Sequence, residues 1–358
     1  MTKPIKVAAL TSGRDVPSAR FRVRQHIAPL RLLSVQVVDY CPAISQLARL
    51  PGKLGRIRQR YLPPIAAGQV ALNAALRIPG VFGTYRSDVT WIERNFLPGL
   101  DRLGCLTKAP RVLDVDDAIW LSALFGASST RVLAAEVDAV IAGNSYLANW
   151  YSQYCKNIFI VPTAIDCERF RPIEGGRPSR DASTPFIVGW TGSSGNFRFL
   201  EKLQVPLATF LRGRPTALLK IIADRKPALP EIPAAQTIFI KWDPENEAIE
   251  LRDMDVGLMP LDDDEWAKGK CSFKMLQYMA TAVPVIVSPV GMNKEVLELG
   301  QCGFAARNGR EWLDALVALY ENWELGVKFG QTGREIVLSR FSVHVVVGQL
   351  ADVFRKTS

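Results

Sequence analysis

Short β-rich runs alternate with helix-like stretches along this chain, and the alternation occurs twice. The predicted strands of the first half are Ile5–Leu10, Val35–Tyr40, Val89–Ile92, Arg111–Asp114, Ala139–Ala142 and Ile158–Val161. Those of the second half are Phe186–Trp190, Ala217–Ile222, Thr237–Lys241, Val256–Met259 and Val285–Ser288. Strands that are separated by helical stretches are typical of parallel α/β layers. The pattern therefore predicts an α/β protein with two such units.

A linker-like segment separates the two series of strands. Residues 172–185 are rich in Pro, Gly and Ser, and 358 residues are enough for about two domains. We predict an N-terminal domain at 1–172, a linker at 173–185, a C-terminal domain at 186–340 and a final helix at 341–358. Helical patterns are predicted at residues 19–33, 196–212, 245–252, 272–282, 310–322 and 343–356.

Cysteine and histidine usage excludes several classes of protein. The six Cys include no CxxC pair, and the two His lie far apart in sequence. This disfavours a zinc finger, a thioredoxin motif, c-type haem attachment and a disulfide scaffold, and it predicts reduced thiols in the cytoplasm. No signal-peptide pattern is present, and the most apolar stretch, 63–83, contains Gln69, Asn73 and Arg77 and is interrupted by Pro79-Gly80.

The net charge of +9 belongs entirely to the first half of the chain. Residues 1–174 contain 22 Lys and Arg against 13 Asp and Glu, whereas the remainder contains 22 of each. The excess is dense at 49–60, where leucines and an isoleucine separate the basic residues Arg49, Lys53, Arg56, Arg58 and Arg60. A solvated face and contact with an anionic membrane surface both fit this stretch. Nucleic acid is a weaker partner, because no nucleic-acid-binding motif accompanies the charge, and we predict none.

A glycine-rich turn follows the first strand of the second half. Gly189–Asn196 lies between a strand and a helix, where glycines allow close approach of the backbone and a helix start offers free N–H groups to phosphate. The spacing is not GxGxxG, and no Walker lysine is present, so neither dinucleotide binding nor P-loop chemistry is supported. A plain βα turn also fits this segment.

The segment 259–288 carries the densest signal. Four acidic residues, 262–265, follow a strand end, and Lys268, Lys270 and Lys274 lead into a helix. Ligands of open α/β sheets bind beyond the carboxyl ends of strands, and lysines near a helix start suit a diphosphate. A solvated charged loop before a core helix is the alternative.

Polar residues also follow strands in the first half. Asp114–Asp117 ends an apolar strand, where Mg²⁺, sugar hydroxyls, basic side chains and helix capping all fit the carboxylates. Three arginines, Arg20, Arg22 and Arg24, lie close together on the first predicted helix. Contact with phosphate and salt bridges to the acidic strand end are both open for them. Asn144 follows another strand, either lining a binding site or as part of a loop.

Taken together, these segments resemble the retaining glycosyltransferases of the GT-B fold, specifically family 4 and its bacterial polysaccharide-type members. The likeness in the second half is carried by Gly189–Ser194, Trp242–Glu247, Asp255–Leu261, Lys270–Ala280, Pro284–Gly291 and Trp312. In the first half it is carried by Arg20–Arg22, Asp114–Asp117, Ala142–Asn144 and Pro162–Asp166. The segments occur in the family's order over nearly the whole chain.

The resemblance implies two Rossmann-like α/β/α domains that face each other across a cleft, with the C-terminal helix crossing back to the N-terminal domain. It implies transfer of a sugar, with retention, from a nucleoside diphosphate sugar to a glycan or lipid-linked acceptor in cell-surface polysaccharide assembly. The resemblance further implies that neither a cofactor nor a metal is required. The expected location is the cytoplasm, with peripheral attachment to the inner face of the membrane through 49–60.

The resemblance also assigns site residues. The catalytic group is Lys270, Lys274, Asp264 and Glu265. The donor-binding group is Gly189, Thr191, Gly192, Ser193, Asp224, Trp242, Asp262, Asp263 and Gln277. The acceptor side is Gly13, Arg20, Arg22, Asp116, Asp117 and Asn144.

The chain departs from the family at three positions. Gln277 stands where the second Glu of the Glu-x₇-Glu motif is expected, Gly269 stands where the first is expected, and Trp190 replaces an Arg. Lys270 and Lys274 are then expected to carry more of the diphosphate charge. Two alternatives follow: an inactive GT-B-like partner in a glycan-assembly complex, and a nucleotide-sugar epimerase, which the shortage of histidines disfavours.

Overall fold

The computed structural model describes residues 3–14, 16–44, 63–97, 100–122, 126–176, 181 and 184–358. The chain forms two compact units, one made of Met1–Ala164 with Val343–Ser358 and the other of Ile165–Ser342. The basic stretch 49–60 and parts of the predicted linker lie outside the described residues.

The N-terminal unit contains a six-stranded parallel sheet. Its strands are β1 (Ile5–Leu10), β2 (Val35–Asp39), β3 (Val89–Glu93), β4 (Arg111–Val115), β5 (Ala139–Ala142) and β6 (Ile158–Ile160). They lie in the order β2-β1-β3-β4-β5-β6, and in the register Ala8 faces Val38 on one side and Thr90 on the other. The residues of β1, β3 and β4 are mostly buried, as expected for a parallel sheet that is covered on both faces.

In the part of this unit that the structure describes, four helices connect these strands: α1 (Gln25–Leu32), α2 (Pro63–Thr84), α3 (Gly126–Glu136) and α4 (Ser145–Tyr151). A π-helical turn, Ala19–Arg24, precedes α1, and 3₁₀ turns occupy Asp101–Leu106 and Ile119–Leu121. The predicted helix at 19–33 therefore begins with a π-helical turn. Helix α2 continues through Pro79-Gly80, the two residues that interrupt the apolar stretch 63–83. Gly80 and Gly83 lie so close to Tyr40 that packing against the sheet holds this end of the helix in place.

The C-terminal unit contains a second six-stranded parallel sheet. Its strands are β7 (Phe186–Thr191), β8 (Ala217–Ala223), β9 (Thr237–Lys241), β10 (Val256–Met259), β11 (Val285–Val287) and β12 (Gly303–Ala305). The order is β12-β11-β10-β7-β8-β9. The chain therefore builds outward from β7 in one direction, returns, and builds outward from β10 in the other, which is the doubly wound arrangement.

Eight helices flank this sheet: α5 (Phe197–Glu201), α6 (Gln204–Arg212), α7 (Glu247–Arg252), α8 (Glu265–Lys268), α9 (Phe273–Ala280), α10 (Met292–Leu297), α11 (Gly309–Glu321) and α12 (Trp323–Ile336). The helix predicted at 196–212 is two helices, α5 and α6. Neither β12 nor α12 was predicted, because β12 has only three residues and α12 carries three glycines, which lower its helix propensity.

The last helix, α13 (Val343–Thr357), packs on the N-terminal unit. Its Val346, Leu350 and Phe354 are buried with Val7 and Trp91, and the rings of Trp91 and Phe354 meet edge to face at 5.0 Å. Within the described ranges, no helix combines the length and hydropathy needed to cross a bilayer.

Candidate functional site

The loops that follow β7 and β10 mark the point where the strand order of the C-terminal sheet reverses. These two strands are adjacent and parallel, but their connections leave in opposite directions. Such a switch point opens a crevice at the carboxyl ends of the strands, where ligands of doubly wound sheets bind. The predicted glycine-rich turn and the lysine-bearing helix both meet here, as the following contacts show.

Lys274, in the first turn of α9, places its ammonium nitrogen 4.9 Å from the centre of the Trp190 ring. Burial lowers the pKa of Lys274 from 10.5 to about 7, and repulsion from Lys270 adds to the shift. No carboxylate of the described residues lies within salt-bridge distance of this nitrogen. A half-buried cation without a counter-ion stabilises an anion that comes to it, because the cost of its own desolvation is already present.

The absence of a side chain at Gly192 leaves room for the Lys274 ammonium. A Cβ at position 192 would lie 2.5 Å from Lys274 Nζ and 2.7 Å from the Trp190 ring. The Gly192 N–H donates to Ile222 O at 3.0 Å, which keeps the loop on the extension of β7. A side chain at position 192 would therefore meet the buried Trp190 ring and would displace the flexible end of Lys274.

Gly189 needs to be a glycine for a different reason. Its Cβ would overlap Met254 Sδ at 1.9 Å, so this position serves the packing of β7 against the buried Met254 in the loop before β10. Thr191 is buried, and its N–H donates to Tyr278 Oη at 2.8 Å. Tyr278 also donates to Leu258 O at 3.4 Å and therefore ties α9 to β7 and β10. Sequence reasoning missed this role of Tyr278, because a tyrosine that packs in the core of an amphipathic helix shows the same pattern.

The loop after Gly192 is ordered by Asp224, which follows β8. Asp224 accepts hydrogen bonds from the Ser194 N–H and, at 2.8 Å, from the Ser194 hydroxyl. Burial acts in the opposite direction, but these bonds lower the pKa of Asp224. Ser193 is exposed beside them. Asp224 thus supports the loop and leaves the Ser193 side chain open to a ligand.

The start of α9 is held by a buried polar network. Ser272 has a left-handed backbone (φ 49°), and its hydroxyl donates to Asn293 Oδ1 at 2.7 Å. Asn293 in turn donates to Ser288 O at 3.0 Å. Lys270 precedes this network and places its ammonium 5.8 Å from the Trp266 ring centre. The helix start that carries both predicted catalytic lysines is therefore fixed to the loop after β11.

The acidic cluster 262–265 lies among basic side chains. Asp264 caps α8 by accepting the Ala267 N–H at 2.7 Å, and it lies 3.6 Å from Arg198. Lys202 pairs with Asp262, and Lys268 pairs with Asp263 at 3.6 Å and with Glu265 at 3.0 Å. These carboxylates are therefore engaged within the loop. Their predicted roles toward a donor stay predictions.

Gln277 is buried and donates to Glu247 Oε1 at 2.9 Å. Glu247 is the first residue of α7, is itself buried, and lies 3.9 Å from Arg169. The Gln277 amide therefore pairs with a carboxylate from another helix, a partner that sequence reasoning missed. Trp242, at the end of β9, is 38% exposed and is open to stack on a ligand.

In the N-terminal unit the three predicted arginines have different roles. Arg22 is buried and pairs with Asp114 at 2.7 Å, so the salt bridge to the acidic strand end is confirmed. Arg24 pairs with Asp39 and donates to Gly13 O. Arg20 lies over the Phe21 ring at 4.8 Å. Because the guanidinium of Arg22 is used inside the unit, Arg22 is removed from the acceptor-side residues that we consider below.

The other two carboxylates that follow β4, those of Asp116 and Asp117, pair with Arg94, a partner that sequence reasoning missed. Arg94 contacts Asp116 at 2.7 Å and Asp117 at 2.5 Å. Its own backbone is left-handed (φ 63°), a rare conformation outside glycine that concentrates at functional sites. Burial opposes the shift, but Arg94 lowers the pKa of Asp116. Asn144 caps α4 by accepting the Leu147 N–H at 2.9 Å, and its predicted place on the acceptor side stays a prediction.

A resident metal has no evident site in the described part of the chain. There, no three His, Cys, Asp or Glu side chains come together in a group that would hold an ion. The carboxylates of the acidic strand end that had suggested Mg²⁺ face arginines instead.

Comparisons with known proteins give one family match and several likenesses of fold. Residues 205–322 match the family model described as Glycosyl transferases group 1. No curated protein sequence matches the chain. Among solved structures, sucrose-phosphate synthase from Thermosynechococcus elongatus aligns with a TM-score of 0.70 at 15% identity, over 98% of each chain.

Two further structures align over almost their full length. HepE from Anabaena, in complex with UDP and glucose, gives a TM-score of 0.67 at 14% identity, over 98% of this chain and 100% of HepE. A glycosyltransferase from Rickettsia africae gives 0.65 at 12% identity, over 99% of each chain. These likenesses show that the fold is GT-B-like, with two α/β units that each contain a parallel six-stranded sheet.

Proposed function

From the match of residues 205–322 to a glycosyl transferase model, we propose that this chain transfers a sugar from a nucleoside diphosphate sugar to a glycan or lipid-linked acceptor. The proposal depends above all on Lys274, a half-buried ammonium without a carboxylate partner among the described residues, at the switch point of the C-terminal sheet. A departing diphosphate is the anion that such a cation suits.

Lys274 and Lys270 stabilise the negative charge that develops on the diphosphate as its bond to the anomeric carbon breaks. The acceptor hydroxyl oxygen forms the new bond on the same face of the sugar, and its proton passes to the departing phosphate oxygen, so configuration is retained. Fixed cations aimed at developing charge are usually the largest contribution to such catalysis. The backbone of Gly192 and Ser193 approaches the phosphates, and Trp242 stacks on the donor.

The acidic cluster 262–265 has a supporting role in this proposal. Its carboxylates hold Arg198, Lys202 and Lys268 at the carboxyl end of the sheet. Gln277, held by Glu247, contributes polarity beneath the donor. On the acceptor side we propose Gly13, Arg20, Asp116 and Asp117, with Asn144 fixing α4. UDP-sugars are the first donors to test, because HepE was crystallised with UDP and glucose.

We propose cell-surface polysaccharide assembly as the setting, with the enzyme held at the inner face of an anionic membrane. A non-catalytic partner role is the second candidate. Gly269 and Gln277 stand where the Glu-x₇-Glu pair is expected, and the Gln277 amide is already bonded to Glu247, which favours this role. The two functions differ in turnover. A transferase releases nucleoside diphosphate when an acceptor is added, whereas a non-catalytic partner binds the donor and releases none.

The first experiment is a thermal-shift screen of nucleoside diphosphates and their sugars against the full chain. A ligand at 100 times its dissociation constant adds about 2.7 kcal/mol of stability. We expect a rise in unfolding temperature with a UDP-sugar and none with a nucleoside that lacks phosphates. Absence of any shift across all diphosphates would contradict the proposal.

Replacing Gly192 with alanine tests the approach of the backbone to Lys274. The added Cβ would lie 2.5 Å from Nζ, so the ammonium must move away from its position over Trp190. We expect the dissociation constant of the donor to rise about tenfold, because the displaced ammonium no longer meets the diphosphate beside the loop backbone. Isothermal titration calorimetry measures the change.

Gly195→Ala is the matched control for this substitution. A Cβ at position 195 would meet only Ser193 Oγ, at 3.8 Å, which is ordinary contact. Its donor affinity should equal that of the wild type. Equal affinities for both variants would remove Gly192 from the donor site.

Donor binding should weaken as the pH rises above about 7. The pKa of Lys274 in the free protein is lowered to about 7, and a bound diphosphate raises it again by favouring the ammonium. Below pH 7 the lysine is already protonated, so affinity is constant. Above it, binding must take up a proton, and affinity falls by up to about tenfold per pH unit.

Calorimetry with a UDP-sugar between pH 6 and 9 measures this profile, and buffers of different ionisation enthalpy report the proton uptake. The sugar ester is the right probe because its diphosphate does not titrate in this range. Lys274→Met should give a flat profile. A flat profile in the wild type would show that Lys274 does not meet the diphosphate.

A further inference from the structure

Helix α2 buries polar side chains and exposes apolar ones. A surface helix ordinarily buries apolar residues and exposes charged ones. Between Gly68 and Thr84, the part of α2 whose side chains are mostly described, the polar residues Asn73, Arg77 and Thr84 are buried. Among the residues of this part whose side chains are described, those that face solvent are apolar.

The inward face of α2 is built around Arg77, the only charged residue of the helix. Its Nε donates to Phe96 O at 2.9 Å, and its Nη1 donates to Thr11 O at 2.7 Å. Gly80 and Gly83 on the same face allow close contact with Tyr40. The orientation of the helix is therefore fixed by specific contacts, and its outer face is apolar as a consequence.

That outer face continues into a larger apolar surface. Phe82 is 69% exposed. Tyr85 follows the helix, and its hydroxyl donates to Leu106 O at 3.1 Å. The 3₁₀ turn Asp101–Leu106 therefore adjoins the end of α2. We call this surface the α2 patch and define it by its exposed side chains Leu72, Ile78, Phe82, Tyr85, Leu103 and Leu106. An exposed apolar surface of this kind marks an interaction site.

Two exposed arginines adjoin the α2 patch, since Arg86 follows Tyr85 and Arg102 precedes Leu103. Of the acids nearby in sequence, Glu93 and Asp101 are buried, and Asp88 is half-buried and accepts the Lys6 N–H. In the sequence, the 48 residues between Asp39 and Asp88 contain seven Lys and Arg and no Asp or Glu. An apolar surface with arginines at its edge is complementary to an anionic lipid bilayer, which offers both acyl chains and phosphate groups.

We infer that the α2 patch lies on an anionic lipid bilayer, with Ile78 and Phe82 in the acyl region and Arg86 and Arg102 among the headgroups. The helix lies along the surface, because no described helix has the length and hydropathy to cross it. This inference specifies the membrane part of the proposed function. It rests on the N-terminal unit alone and does not depend on donor binding.

Flotation of the full chain with lipid vesicles tests the inference. The wild type should float with phosphatidylcholine vesicles that contain phosphatidylglycerol, bind weakly to phosphatidylcholine alone, and lose affinity as salt is raised. Phe82→Glu should lower binding to the vesicles at least about tenfold, because it replaces the ring that enters the acyl region with a charged side chain. Ile78→Ser serves as a second, milder variant, and circular dichroism checks that both are folded.

Val205→Glu is the matched control, because Val205 is also 69% exposed and lies on α6 of the C-terminal unit. It should bind vesicles like the wild type. For each variant, light scattering measures the oligomeric state and UDP-sugar calorimetry measures donor binding. A failure of donor binding is therefore distinguished from a failure of membrane binding. The inference is overturned if the wild type does not float, if Phe82→Glu floats equally well, or if the wild type is a dimer that Phe82→Glu dissociates without any vesicle binding.

Discussion

Lys274→Met lowers the turnover of sugar transfer at least about 100-fold while the protein remains folded; this is the largest effect that we expect. Removing one fixed group that stabilises developing negative charge typically costs a factor of about 10²–10³. Methionine preserves the length of the side chain and its contact with Trp190. Because the lysine has no carboxylate partner among the described residues, its removal should leave stability unchanged or raise it.

Steady-state release of nucleoside diphosphate measures the loss, and thermal unfolding measures stability. Lys268→Met is the matched control, because Lys268 pairs at the surface with Glu265 and Asp263. It should retain activity within about twofold, since surface ion pairs contribute about 0–1 kcal/mol. Full activity in Lys274→Met, or an equal loss in both variants, would refute the role of Lys274.

Arg22→Met is expected to lower the free energy of unfolding by about 3–5 kcal/mol, because it leaves the buried carboxylate of Asp114 without its cation. Arg22 also donates to Val161 O at 2.9 Å, so one side chain joins the first helical turn, β4 and the end of β6. Urea denaturation at pH 7 measures the change. Arg86→Met, at an exposed site, should change stability by less than about 0.5 kcal/mol.

The size of this effect should depend on pH. Burial raises the pKa of Asp114 to about 6 even with Arg22 beside it, and loss of Arg22 raises it further. A carboxyl group whose folded pKa lies above its unfolded value favours the folded state as the pH falls through that pKa. The difference between wild type and Arg22→Met should therefore shrink between pH 7 and pH 5. A difference that is constant with pH, or below about 1 kcal/mol at pH 7, would show that Asp114 is not left charged.

Several site features were predictable because they depend on neighbouring residues. The glycine-rich turn after β7 and the lysines at the start of α9 were recognised from local patterns, and the structure brings Gly192 and Lys274 together. The acidic cluster was also recognised, but its partners Arg198 and Lys202 come from α5 and the residue that follows it. No local pattern distinguishes a carboxylate that awaits a ligand from one that is already paired.

The alternation of strands and helices was determined by the sequence itself, because hydrophobic periodicity and turn residues act over a few consecutive positions. It predicted eleven of the twelve strands that the described residues form, to within one residue at each end. Pairing was decided only by the tertiary structure: Arg22 meets Asp114 across 92 residues, and Gln277 meets Glu247 across 30. The same holds for α2, whose apolar residues face outward because Arg77 reaches backbone oxygens far along the chain. Such contacts depend on where distant loops come together, and residue order does not encode that locally.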